Sequence, residues 1–190
     1  MVRPPATGAR RRARLTPSGL SRFGLDERGV AAVEFALIAP MLIALYLGLA
    51  EFCQAFMAEK RTGHLTSQIA DIVAQSDVVT RDELADVFAI GALLLEPFPS
   101  EPLGMRVSSV TRGTDGVARV DWSRGQGLAS RTGTVTVPAG VVNNGESIVM
   151  SEAIYDYTSP INDLLPGTTR FSRTFYLRPR LVDRIGCSDC

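Results

Sequence analysis

The spacing of apolar positions changes character twice along this chain, and each change marks an element. Residues 30–50 read VAAVEFALIAPMLIALYLGLA, 21 positions with Glu34 as the one charge. A helix of that length rises about 31 Å, close to the hydrocarbon thickness of a bilayer. A buried globular helix this long would show a polar face, and this one has none. The segment is therefore expected to span a membrane. Pro40 removes one helical hydrogen bond and bends the span, and Ala39, Ala44, Gly48 and Ala50 offer a generic surface for close helix contact.

Further on, Leu65, Ile69, Ile72 and Val73 fall at helical spacing, with Lys60, Arg61, Gln68, Asp71 and Gln75 available for the wet side. This predicts that the helix continues, amphipathic, to about Gln75. Thr80-Arg81-Asp82-Glu83 reads as a capping box that opens a second helix. Its apolar face is Leu84, Val87, Phe88, Gly91 and Leu94/Leu95, and Pro97-Phe98-Pro99 ends it. From there the period is two. Strands are expected over 105–111 and 117–122, joined by the turn Gly113-Thr114-Asp115-Gly116, then over 135–137, 147–158 and 171–177, with 125–133 as loop. Helices first and strands afterwards imply an α+β fold. The long membrane helix packs, with the second helix, against a small antiparallel sheet.

The chain carries 20 Lys+Arg and 20 Asp+Glu, a formal charge of zero, and 45% of its residues are hydrophobic. That excludes a disordered chain, and without a basic excess nucleic acid is not an expected partner. The zero is unevenly made. Residues 1–29 hold seven Arg and two acids, or +5; residues 30–190 hold 13 basic and 18 acidic residues, or −5. The first segment has no apolar clustering and reads as a disordered leader. Seven Arg precede the span, and the first basic residues after it are Lys60 and Arg61, which puts the amino terminus in the cytoplasm and the rest outside. Three regions follow: a basic cytoplasmic leader over 1–29, a transmembrane helix over 30–56 and an exported α+β domain over 57–190. A cleaved secretory signal is the competing reading, since Gly48-Leu49-Ala50 offers the small residues a signal peptidase prefers. Glu34 and Pro40 are out of place in such a signal, and the helical pattern runs on past Ala50.

At the charge boundary stands Glu27-Arg28-Gly29-Val30-Ala31-Ala32-Val33-Glu34-Phe35. A Gly closes the basic segment, an apolar run opens, and an acid followed by an aromatic comes five residues in. This resembles the processing site of type IV pilin-like proteins, in particular the tight-adherence (Tad/Flp) class. The longer string DERGVAAVEFALIAPMLIALYLGLAEF resembles the opening of TadE-like and TadG-like proteins, the pseudopilins of that system. At the far end Tyr155-Asp156-Tyr157-Thr158, Arg173-Thr174-Phe175-Tyr176, Arg178-Pro179-Arg180 and a terminal Cys resemble the closing region of TadE-like proteins.

The resemblance implies that a prepilin peptidase cuts between Gly29 and Val30, leaving Glu34 and Phe35 fifth and sixth in the mature chain. It further implies a pilin-like fold held in the inner membrane of a bacterium, with the domain periplasmic or extracellular. Partners would be other pilins and pseudopilins packed side by side, Glu34 meeting the freed Val30 amine of a neighbouring subunit. A carboxylate in an apolar helix costs a few kcal/mol near the bilayer centre and less near its edge. Glu34, about a turn from the start, is placed either for that pairing or to reach the headgroups alone. Gly29 also has the backbone freedom of a simple joint before a helix.

Enzymatic chemistry finds little to work with. His64 is the one His, and no local motif assembles a zinc-protease or Ser-His-Asp site. No nucleophile elbow, phosphate loop or dinucleotide fingerprint occurs. Asp82, Glu83 and Asp86 cluster where a helix start favours acids, and Asp156 and Asp163 lack calcium-loop spacing. No cofactor, metal or small-molecule substrate is expected. Cys187 and Cys190 close the chain as C-x-x-C without the βαβ context of a redox motif. In an exported setting they are candidates for a local disulfide or for pairing with another protein. Cys53 reads as a small apolar residue. The expectation is a non-enzymatic pseudopilin of tight-adherence pilus assembly. The alternative is an uncleaved single-pass anchor carrying an extracytoplasmic binding domain.

Overall fold

The computed structural model describes residues 27–160 and 167–190; the basic leader up to residue 26, and Asp163, lie outside the described residues. Helix α1, Glu27–Ala74, is 48 residues long and passes through Pro40. It starts three residues before Val30, so Gly29 stands inside a helical turn. The chain divides into one unit ending at Tyr46 and a compact unit, Leu47–Cys190. In the first, the described side chains from Gly29 to Tyr46 are exposed, apart from half-buried Ala39.

In the second unit α1 buries one line: Ala58, Thr62, Leu65, Thr66, Ile69, Ala70, Val73 and Ala74. The three- and four-residue spacing puts them on one face, and the small residues among them let other elements approach closely. Thr62 and Thr66 donate their hydroxyls to the carbonyls of Ala58 and Thr62, at 2.8 and 2.5 Å, so neither buried hydroxyl is orphaned.

A short strand β1, Val78–Val79, leads to helix α2, Arg81–Leu94. The capping box forms as the sequence predicts. Thr80 Oγ1 accepts from the Glu83 amide at 3.2 Å, and the Glu83 carboxylate accepts from the Thr80 amide at 2.8 Å. Leu84, Val87, Phe88 and Gly91 are its buried face, with Leu95 buried just beyond.

Four strands follow: β2 Leu103–Arg112, β3 Ala118–Gln126, β4 Ser147–Thr158 and β5 Thr168–Leu177. They pair antiparallel in the order β3-β2-β4-β5. One face of the sheet carries Leu103, Met105, Val107, Val149, Ala153, Tyr155 and Tyr157, which join the buried residues of α1 and α2 in the main core. The other face carries Val110, Ile148 and Met150, closed over by Val137 and Val142 from the long β3–β4 connection. Gly91 lies at a close crossing, where a Cβ would come 2.8 Å from Ile69 Cδ1 and Met105 Sδ. The architecture is α+β, a long apolar amino-terminal helix and a second helix with a small antiparallel sheet.

Three details depart from the sequence reading. Strand β3 runs on through Gly125 and Gln126, which the pattern assigned to loop. The pairing survives because a bulge at Ser109/Val110 resets the register, bringing Gly125 opposite Arg106. Gly125 is needed there because the Leu128 carbonyl packs where its Cβ would be. Residues 135–137 do not form a strand. Thr134 makes one isolated bridge to Arg119, and Val135 and Val137 serve as a lid on the second core. Finally, β1 pairs in parallel with a two-residue strand β6, Gly186–Cys187, which no short-range pattern announced.

Candidate functional site

Gly29, Val30, Glu34 and Phe35 all stand on the exposed first turns of α1. Val30 is 58% and Phe35 70% exposed, and a Cβ added at Gly29 would meet nothing within 4 Å. Val30 and Glu34, four residues apart, share one helix face. Among the described residues Glu34 has no hydrogen-bond or ion-pair partner. Helix geometry alone brings the four motif residues together.

A second acid on α1 has a different setting. Glu51, the residue after the apolar stretch, is 1% exposed, and its Oε1 accepts from Ser159 Oγ at 2.7 Å. Its Oε2 is buried without a partner. Ser159 follows the end of β4, so the foot of the sheet grips α1 at this level. Burial pushes the Tyr157 phenol above its ordinary value, and the negative charge of Glu51 pushes it the same way. The sequence offered one clue, the Glu-Phe pair of Glu34-Phe35 repeated at Glu51-Phe52. Nothing local could tell that one glutamate is exposed and the other enclosed.

The carboxyl-terminal tail forms a clasp at the opposite end of the domain. The Arg180 amide donates to the Ala74 carbonyl at 2.9 Å, capping α1, while its guanidinium pairs with Asp71. The Gly186 amide donates to the Asp77 carbonyl and the Ser188 amide to the Val79 carbonyl, at 3.2 and 3.1 Å. The first amide of α2, on Arg81, donates to Asp189 Oδ1 at 2.8 Å. Cys187 and Cys190 are joined in a disulfide with Cα atoms 5.6 Å apart, an ordinary span for such a bond. Trp122 Nε1 donates to the Ile185 carbonyl at 2.8 Å, tying the tail to β3. The tail thus satisfies orphan groups at the end of α1 and the start of α2.

The apolar α1 is long enough to cross a membrane, and its most apolar stretch is wholly unburied. Comparison with known proteins finds a match along it. Residues 29–71 match the family described as TadE-like protein. The TadE-like match opens on Gly29 and ends three residues before α1 does. No curated protein and no solved structure matches the chain. The TadE-like stretch takes in the exposed apolar turns, Glu34, the enclosed Glu51 and most of the buried line. It leaves out α2, the sheet and the clasp. A TadE-like segment lying in the one span-capable helix among the described residues fits a pilus component held by a single-pass anchor.

Proposed function

We propose that this chain is a pseudopilin of tight-adherence pilus assembly, without catalytic activity of its own. Its α1 anchors it in the inner membrane of a bacterium, amino terminus in the cytoplasm and domain outside. A prepilin peptidase cuts between Gly29 and Val30. The exposed apolar helix left behind packs laterally with helices of other pilins and pseudopilins. One coincidence carries this reading: the TadE-like match begins at residue 29, beside the Gly29–Val30 bond. From there to Tyr46 the helix turns apolar side chains outward, a surface that water does not stabilise.

The cut has a chemical consequence. It frees the Val30 amine, a new basic group at the head of the helix. Paired with Glu34 of an adjacent subunit, that cation offsets the cost of a carboxylate in hydrocarbon. Amino-terminal sequencing and intact mass of membrane-extracted protein test the scheme. A chain beginning at Val30 is expected in cells that hold the peptidase, and an uncut chain in cells lacking it. A product that keeps residues before Val30 in peptidase-containing cells would leave the uncleaved anchor as the better account.

A further inference from the structure

Just past the apolar stretch, α1 has two faces within the compact unit. One is buried, from Glu51 through Ala58 and onward. The other stays exposed: Phe52, Phe56 and Met57 follow at helical spacing, and Lys60, Arg61 and His64 continue the stripe. Phe52 and Phe56 stack with centroids 6.4 Å apart, and Lys60 Nζ stands 5.1 Å over the Phe56 ring. Helix α2 borders the stripe with Leu93, 64% exposed. Between the helices lies an open groove of about 640 Å³, apolar along Phe56, Met57 and Leu93 and basic along Lys60 and Arg61. Glu96 is the one acid among the groove's lining residues.

An exposed apolar strip of this kind calls for a cover, and two observations select the bilayer surface. The first is continuity. Phe52 comes two residues after the apolar run that ends at Ala50, and Lys60 two turns later, the zone where aromatic rings and long cationic side chains settle at a membrane–water boundary. The second is charge. Lys60 is the chain's single lysine, and among the described residues neither it nor Arg61 has a carboxylate partner. Arg61 makes one long contact, 3.4 Å to the Leu94 carbonyl. Among the described residues the ion pairs are all made by other arginines.

We propose that this groove seats the domain on the membrane and holds the phosphate of an anionic lipid headgroup between Lys60 and Arg61, with Phe56, Met57 and Leu93 in the boundary layer below. It rests on the reading of α1 as a membrane anchor, and is independent of cleavage and of pilus assembly.

The test uses the full chain reconstituted in vesicles of phosphatidylcholine, alone or mixed with phosphatidylglycerol. An environment-sensitive dye is placed at Leu93→Cys in a Cys53→Ser background. With phosphatidylglycerol, the dye is expected to be quenched by headgroup spin-labelled lipid and shielded from iodide. In K60Q/R61Q the docked population falls on the order of tenfold, while the vesicles still carry the protein in flotation. A dye equally open to iodide in both lipid mixtures overturns the proposal. So does shielding that depends on protein density rather than on anionic lipid, since a second protein would then be the cover. If the chain fails to float with either vesicle, the anchor reading falls and takes this inference with it; if it floats with an open dye, only the inference falls.

Discussion

Single side chains in this protein are governed by whether a partner stands opposite them. Glu34 and Glu51 are both followed by Phe, yet the first is exposed on the helix and the second is enclosed beside Ser159. On the proposed role of the first, Glu34→Ala should insert normally but assemble poorly, read as surface pili against membrane-bound protein; undiminished piliation would remove its assembly role. Glu152 is a different case. It accepts from Arg106 and Arg131, each at 2.7 Å, with Glu152 and Arg106 side chains about 15% exposed. Removing it strands two cations, so Glu152→Ala should cost about 3 kcal/mol in urea unfolding followed by Trp122 fluorescence. Asp115 shows the exposed counterpart. Hydrogen bonds from Arg119 and from the Val117 amide hold its carboxyl at about 2, below its ordinary value of about 3.9. Its contribution is therefore complete above about pH 4 and lost as pH falls through 2. Carboxyl NMR titration should show the depressed midpoint, and Arg119→Gln should return it toward the ordinary range.

Elements here split into those fixed by neighbours in sequence and those fixed by distant ones. Helix α2 belongs to the first kind: its cap, apolar face and stop were all legible, because a helix bonds within itself. Strand β4 was legible for a related reason, since a strand buried on both faces shows as a dense apolar run. Strands β1 and β6 belong to the second kind. Two residues make no pattern, and their partners lie about a hundred positions apart. The clasp depends on that pairing and on the Cys187–Cys190 bond. In the chain-entropy view a four-residue loop contributes only about 2 kcal/mol. Cys187→Ser with Cys190→Ser should therefore leave the fold standing while the Gly186 and Ser188 amides exchange faster. A change in Trp122 emission should accompany it, because its indole N–H binds the Ile185 carbonyl. Unaltered exchange would mean that the tail's hydrogen bonds hold it without the disulfide.

At the scale of the whole molecule, the zero net charge is a sum across a boundary. If the leader is removed at Gly29, its +5 goes with it and a chain of −5 remains. Isoelectric focusing gives the amino-terminal experiment an independent readout: the mature protein should focus well below the full chain, whose sequence pI is about 6.6. Uncut protein would keep the higher position.

What the sequence determined alone was whatever rests on local order. A 21-residue apolar run with one charge makes a helix long enough to cross a bilayer, and Gly29, Glu34 and Phe35 stand within its first two turns. Hydrophobic period likewise delivered α2 and most of the sheet. Tertiary structure alone decided which acid is enclosed, that β3 extends past its glycine, that 135–137 covers a core instead of forming a strand, and that the tail caps both helices. The reason is physical. Burial and capping depend on which groups the folded chain brings into contact, and a residue such as Asp189 has no means of signalling in its own neighbourhood that it will meet Arg81, 108 positions away.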